Sequence, residues 1–405
     1  MSDGYDLDGP SIARPTILFV IGSMAIGGAE RHLTRLLPEL VRRGLVVHLF
    51  ILTGRGDLAD EVERAGVVVH STVSSGVDPS RVSSARVLRL LSAVQRFRNV
   101  LREVDPDIVH AFLTEAYLFS RTLTLFDRRR VFIMSRRSLN NYQSKRPMLA
   151  RYERWLHGRL DLASGNSRAI VEQLVGEGIP RHKIRLIYNG VTVLKPASVV
   201  LDGRRNLTGT DGRVTIVCVA NILPYKRHDL LIRALARLSA EVPADRWRCL
   251  LVGRAGSHAD TVKDLIRSCG LEDSVTFIGS VSDVAPILDA AHIGVLVSAE
   301  EGFSNSVLEK MAASLPVVVT DVGGNSEAVV DRTTGIVVGP DDEAGIAEAL
   351  RTLIDDQGLR ERMGEAAQSR VAERFSTEAT SRGYIEMYRS VLDAGRRHGT
   401  DSLGG

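Results

Sequence analysis

TILFVIGSMAIGGAERHLTRLLPELVRRGLVVHLFIL, residues 16–52, decides the fold. Thr16–Gly22 is an apolar, β-branched run closed by glycine and serine, which reads as a buried strand. Leu33, Leu36, Leu37, Leu40 and Val41 then recur at helical spacing, and Gly44 stops the helix. Val46–Leu52 reads as the next strand. A strand, a helix and a second strand in this order predict parallel pairing with the helix packed across the sheet. The same alternation continues outward. Val67–His70, Asp107–Ala111, Val131–Ser135 and Leu160–Ala163 read as strands, with helices at Arg81–Arg102 and Ala150–His157. Residues 195–213, KPASVVLDGRRNLTGTDGR, break the pattern with proline, glycine and polar residues and read as a linker. The alternation then restarts: Val214–Ala220, a helix to Ala240, Trp247–Val252, a helix to Cys269, Val275–Ile278, Ile293–Val297 and Val317–Thr320. A last helix spans Glu373–Ala394. The expected architecture is α/β, with two Rossmann-like domains. Its expected parts are a disordered N-terminus (1–14), a first domain (15–195), a linker (196–213) and a second domain (214–375). A helix (376–395) crossing back to the first domain and a disordered tail (396–405) complete it.

Composition agrees. The chain has 405 residues, 44% hydrophobic and 25% charged, within the band of globular proteins and outside that of disordered or fibrous chains. Its length suits two domains. Cys218, Cys249 and Cys269 form no CxxC pair and read as small apolar core residues in a reducing compartment. No apolar run reaches the roughly 18 residues that a membrane span needs. MSDGYDLDGPSIARP lacks the apolar stretch of a secretory signal, so the expected location is the cytoplasm.

The net charge of +3 hides an asymmetry. Residues 1–200 carry 29 Lys and Arg against 19 Asp and Glu, and the rest carry 23 against 30. Arg81–Arg159 alone holds 17 basic and 6 acidic residues. One half therefore points to an anionic partner: nucleic acid, a membrane surface or a phosphate-bearing acceptor. A solvated arginine-rich face is the alternative.

Ser298–Thr320, SAEEGFSNSVLEKMAASLPVVVT, is the sharpest motif. It puts Glu301 at a strand end and Glu309 in the second turn of the next helix. Ligands of open parallel sheets bind beyond the carboxyl ends of the strands. Gly302, Phe303, Ser304 and Asn305 open the helix, whose first N–H groups favour an anion. Two carboxylates that accept bonds from vicinal hydroxyls, on either side of a phosphate site, suit a sugar nucleotide. A capped helix with two solvated glutamates would show the same spacing. Gly27 and Gly28 precede the first helix and would let a backbone approach a phosphate, yet the loop is neither GxGxxG nor a P-loop. VANILPYKRHDLLIRAL, residues 219–235, places Lys226 and Arg227 where anionic oxygens would arrive. Arg254 lies in the loop after the next strand.

Together these segments resemble the retaining glycosyltransferases of family 4, with the GT-B fold of two Rossmann-like domains facing each other across a cleft. The resemblance runs from Gly27–Gly28–Ala29–Glu30 to about Phe375. Its strongest parts are the E-x7-E pair Glu301 and Glu309 and the Leu315–Val319 run. TDVGGNSEAVVDRTTGIVVGPDD (320–342) and IYNGV (187–191) add to it. It implies that the second domain binds a nucleotide-diphosphate sugar, UDP- or GDP-linked. Glu309 would hold the ribose, and Glu301 the sugar near the anomeric carbon. Lys226 and the helix start at Ser304–Asn305 would hold the diphosphate, Gly28 would close over it, and Ile278–Ser282 would touch the base. It further implies a hexosyl transfer with retention to a hydroxyl of a lipid-linked or cell-envelope acceptor, such as a polyprenyl-linked saccharide. No cofactor and no metal are implied: the D-x-D strings Asp6–Asp8 and Asp105–Asp107 fall at the terminus and before a strand.

Three departures qualify the pattern. Many relatives carry arginine where Asn221 stands, so Arg227 or Arg254 would replace it. Many have an HxH pair where this chain has His110, Ala111 and Phe112, so His110 is either catalytic or a buried histidine at a strand end. Thr192 follows NGV where aspartate is common. The basic half then gains a meaning, with Arg128–Arg130, Arg136, Arg137, Lys145 and Arg146 as candidates for an acceptor phosphate or for a peripheral contact with an anionic membrane at its inner face. Val87, Leu90, Leu91 and Val94 form a stripe that reads as core before membrane, and Tyr152 and Trp155 as core or acceptor-stacking. The rival function is a sugar-nucleotide epimerase or another non-transferring enzyme on this fold. Aromatic residues at 5% argue against single-stranded nucleic-acid binding, and the missing GxGxxG argues against a dehydrogenase.

Overall fold

The computed structural model describes residues 14–72, 85–139, 143, 145–193 and 212–400, without side chains at 85–89 and 394–400. Most of the expected linker, the tip of the N-terminus with Asp6–Asp8, the start of the helix expected from Arg81 and the last five residues fall outside the described residues.

The chain forms two compact units. The first contains the chain up to Gly165, Val171–Ile187 and the chain from Ser381 on; the second contains Asn166–Ile170 and Tyr188–Thr380. Among the described residues, the first unit holds strands β1 (Thr16–Ser23), β2 (Val46–Gly54), β3 (Val68–Ser71), β4 (Ile108–Phe112), β5 (Val131–Arg136), β6 (Leu162–Gly165) and β7 (Ile184–Leu186). They make one sheet in the order β3-β2-β1-β4-β5-β6-β7, and its pairs are parallel. The second unit holds β8 (Val214–Val219), β9 (Trp247–Val252), β10 (Val275–Gly279), β11 (Ile293–Leu296), β12 (Val317–Thr320) and β13 (Gly335–Val338). Their order is β10-β9-β8-β11-β12-β13, again parallel.

The central strands are continuous apolar runs because helices cover both faces of each sheet. Ile17, Phe19 and Ile21 pack with Leu33, Leu36, Leu37 and Leu40, the stripe read from the sequence. Tyr384, Met387 and Tyr388 of the helix Thr377–Thr400 enter the same core. In the second unit Ile216, Cys218, Cys249 and Leu251 pack against Leu231, Leu235 and Leu350. Cys218 and Cys249 are buried free thiols, and Cys269 lies at the margin of that core.

Some expectations change. The second unit takes in Asn166–Ile170 and runs on continuously from Tyr188, where Val191 forms a bridge with Ser376 and Asn189 reaches Phe303 and Asn305. The helix expected from Glu373 is two helices, Gln357–Arg374 and Thr377–Thr400, broken at Phe375, whose ring lies 5.2 Å from that of Phe303. Of the stripe expected in the helix Ala85–Val104, Leu90 and Leu91 are 57% and 59% exposed and Val94 is half-buried, while Ala93, Phe97, Val100 and Leu101 are buried; the Val87 side chain lies outside the described residues. Tyr152 and Trp155 are not core either. They stack on each other at 5.8 Å on the outside of the helix Pro147–His157, with the Arg159 guanidinium 3.7 Å from the Trp155 ring.

Candidate active site

Each sheet has one point where the chain leaves a strand for the opposite edge, between β1 and β4 and between β8 and β11. There the loops on either side diverge and open a crevice beyond the carboxyl ends of the strands.

At the second sheet, the loops after β8 and β11 are joined by the Ala299 N–H, which donates to the Tyr225 carbonyl at 2.8 Å. Lys226 closes a short 3-10 turn, and its ammonium donates to Glu301 Oε1 at 2.5 Å. Ser298 Oγ donates to the same oxygen at 2.7 Å. Both charged side chains are mostly covered, so the pair sits in a medium where its field counts for more than on an open surface. Gly323 explains the glycines of the TDVGGN segment. Its φ is +54°, and a Cβ there would meet the Glu301 carbonyl at 1.7 Å. Gly324 donates its N–H to the Gly302 carbonyl at 2.9 Å.

The helix Asn305–Ala312 starts beside this pair. Ser304 caps it by accepting from the Val307 N–H at 3.4 Å. Asn189 Nδ2 donates to Asn305 Oδ1 at 2.7 Å and to the Phe303 carbonyl at 2.8 Å, and Asn189 Oδ1 accepts from Asn166 Nδ2 at 3.1 Å. The side chains of Ser304 and Asn305 thus hold the loop, and the first-turn backbone N–H groups are what the helix end presents to an anion. Glu309 is half-buried in the second turn.

Two expected contacts in this region are corrected. Arg227, at φ +52°, gives its guanidinium to Asp229 at 3.2 Å and to Asp341, so its charge is already matched. The Phe303 side chain is buried against Tyr188, with ring centroids 4.8 Å apart, and leaves only its backbone to the loop surface. Asn221, where the resemblance leads one to expect arginine, accepts the Arg254 N–H at 3.0 Å, and the Arg254 side chain is exposed. Ile278 is exposed at the end of β10.

At the first sheet, a cavity of about 390 Å³ lies at the switch point. Glu30, Thr53, Glu115, Arg137, Arg146 and Leu149 line it. Leu113, on its wall, has φ +68°, a conformation that costs a branched residue about 1 kcal/mol or more and gathers at functional sites. Burial raises the Glu30 carboxyl above its ordinary pKa. A Cβ on Gly27 would lie 2.3 Å from Glu30 Oε2, so Gly27 makes room for this carboxylate; a Cβ on Gly28 would meet nothing within 4 Å.

Two more expectations change here. His110 is buried, with Nδ1 2.8 Å from the Tyr388 hydroxyl and Nε2 2.8 Å from Ser135 Oγ. Burial, and then the Arg137 charge, hold its pKa well below the ordinary value. It has the surroundings of the buried strand-end histidine, with both ring nitrogens hydrogen-bonded inside the core. Arg136 is buried between Glu153 and Glu177, each at 2.6 Å, and His157 Nε2 lies 3.0 Å from Glu177. Its guanidinium completes an internal ion network, and the residue borders the cavity from within that network. The same guanidinium binds two of the three groups that could otherwise gather round a metal ion, Glu153, His157 and Glu177. Arg137 lines the cavity as well and donates to the Tyr384 hydroxyl at 3.0 Å. Arg129 and Arg130 pair with Asp105, while Arg128 is exposed. Asp107 accepts the Thr16 N–H at 2.8 Å, so the Asp105–Asp107 string is committed to the fold.

Sequence reasoning passed over Glu30 and Glu115 as site residues. Glu30 stood in the quoted Gly-Gly-Ala-Glu run, but only the packing of β4 beside β1 brings Glu115 to it. Asn189 likewise lay in a noted segment, IYNGV, and two of its partners, Phe303 and Asn305, are more than a hundred residues away.

Two parallel α/β units with such switch-point sites define the GT-B class. Residues 26–193 match the family described as Glycosyltransferase Family 4, and residues 204–370 match Glycosyl transferases group 1. The chain belongs to glycosyltransferase family 4. A D-inositol 3-phosphate glycosyltransferase of Kineococcus radiotolerans is 37% identical over 203 residues, 46% of each chain. An N-acetyl-alpha-D-glucosaminyl L-malate synthase of Bacillus anthracis is 32% identical over 177 residues, 44% of this chain and 45% of its own. The chain thus spans about half the length of these two relatives. The lipopolysaccharide core biosynthesis glycosyltransferase LpsE of Rhizobium meliloti is 28% identical over 90% of this chain and 96% of its own. Among solved structures, Anabaena HepE in complex with UDP-glucose superposes with a TM-score of 0.80 at 22% identity, over 93% of this chain and all of the other.

Proposed function

We propose that this protein transfers a hexosyl unit from a UDP- or GDP-linked sugar to a hydroxyl of a cell-envelope or lipid-linked acceptor, with retention at the anomeric carbon. The observation that carries the reading is the Lys226 ammonium bonded to Glu301 on two switch-point loops, beside the start of the helix that bears Glu309. In this reading Lys226 and the helix N–H groups take the charge that develops on the leaving diphosphate, in place of a divalent ion. Glu309 accepts the ribose hydroxyls and Glu301 orients the transferred sugar. The acceptor hydroxyl attacks the face that the diphosphate leaves. Relatives support it by name: HepE has been solved with UDP-glucose, and LpsE acts in lipopolysaccharide core biosynthesis.

The cavity at the first switch point would take the acceptor. An epimerase needs no such second site, so the cavity favours transfer over that alternative. A membrane-side acceptor draws support from the helix Pro147–His157. It exposes Met148, Tyr152 and Trp155 at positions i, i+4 and i+7, between Lys145, Arg146, Arg151 and Arg154. No described helix is long and apolar enough to cross a membrane.

The test is a thermal-shift panel of UDP-, GDP-, ADP- and dTDP-sugars on the purified protein, with NADH and duplex DNA alongside. One nucleotide sugar should raise Tm, and the rise should vanish in Glu309→Ala. A shift with NADH or DNA alone overturns the reading.

A further inference from the structure

Lys310 lies in the donor helix but on its sheet side, and it is fully buried. Its neighbours Val307, Leu308 and Met311 are apolar core residues, the cheap choice at such positions. The stem of Lys310 crosses β11, where a Cβ on Gly294 would come within 2.5 Å of Lys310 Cδ. The ammonium reaches back one helical turn and donates to Ser306 Oγ at 2.6 Å. Ser306 Oγ donates in turn to the carbonyl of Val219, the last residue of β8, at 2.6 Å. This relay joins the helix that carries Glu309 to the strand end from which the Lys226 loop departs. Burying an ammonium costs free energy unless something uses its charge.

We infer that Lys310 is a positioning residue for the donor: through Ser306 it holds the start of the donor helix on the end of β8, so that Glu309 and Lys226 meet one nucleotide sugar. The inference rests on the donor reading above. The charged groups that face Lys310 are Glu309 on its own helix, Glu301 on the loop after β11 and Lys226 on the loop after β8, with the Cys218 thiol on β8. Burial holds its pKa down, to about 8. An arriving diphosphate favours the charged amine and raises that value. Binding therefore takes up a proton, and donor affinity is full below pH 8 and falls as the pH rises above it, by at most tenfold per pH unit.

The experiment is calorimetric titration of the full-length protein from pH 6.5 to 9.5 with whichever of UDP, GDP, ADP and dTDP stabilises it most. At pH 8, two buffers of different ionisation enthalpy report the protons taken up. Wild type should show uptake and an alkaline fall in affinity. Lys310→Met should bind about tenfold more weakly at pH 7, with neither uptake nor alkaline fall. Ser306→Ala, which leaves the amine in place and is the variant to use if Lys310→Met does not fold, should lose about three- to tenfold in affinity. Proton uptake that survives in Lys310→Met, a flat wild-type profile, or full affinity in Ser306→Ala overturns the inference and leaves the donor reading standing. Binding of none of the four nucleotides overturns the donor reading itself.

Discussion

The two switch points occupy the same place in two similar sheets and arrange their charged groups differently. At the second, a lysine, a carboxylate and a serine are locked by short hydrogen bonds next to a helix start, an arrangement fixed before any anion arrives. At the first, two carboxylates and three arginines line an open cavity of about 390 Å³, with backbone strain at Leu113. Topology thus settled where each site lies, and side chains settled what it can bind. In the proposed reading, the preformed second site suits a donor of constant design, a diphosphate with a ribose. The roomier first site would then suit an acceptor of variable shape.

The largest effect that would sharpen this contrast is at Glu301. Glu301→Ala removes the carboxylate that holds Lys226 and Ser298, and turnover at saturating substrates should fall about 10²- to 10³-fold, as for loss of one preorganised polar group in an active site. An unchanged kcat would move the chemistry away from this loop. A pair of variants then separates the regions. Glu309→Ala should raise the donor KM about tenfold to a hundredfold with little change in acceptor KM. Glu30→Gln should raise the acceptor KM about tenfold and leave the donor-induced thermal shift as in wild type. If both variants move both constants together, the division of labour fails.

A smaller effect concerns acid stability. Burial depresses the pKa of His32 and His110 in the first unit, and of His70 there to about 4; in the second unit His228 is held near 4. Each folded pKa lies below the ordinary value of about 6.5, so the neutral form is the folded form. Their contribution is complete above pH 6.5 and is lost as the pH falls toward 4. Tm should drop by several degrees between pH 7.5 and 5, and the first unit, which holds more of these histidines, should melt first. A single transition with an unshifted Tm would contradict this.

The readings that changed share a cause. Arg136, Arg227 and His110 have the right chemistry for an anion or a proton, but partners distant in sequence, Glu177, Asp341 and Tyr388, had claimed them. Leu90 and Leu91 match a helical stripe, yet the helix turns Phe97 and Val100 to the sheet instead. Periodicity shows that a helix has an apolar face and not which of two apolar arcs a neighbour covers.

By itself the sequence determined the alternation of strands and helices, the two sheets and the place of Glu301 and Glu309, because apolar period and strand-end position are local properties of the chain. Only the tertiary structure decided which charges are available. Whether an arginine or histidine meets a ligand depends on carboxylates and hydroxyls brought from elsewhere in the fold, and the cost of burying a charge fixes its partner once the chain has closed round it.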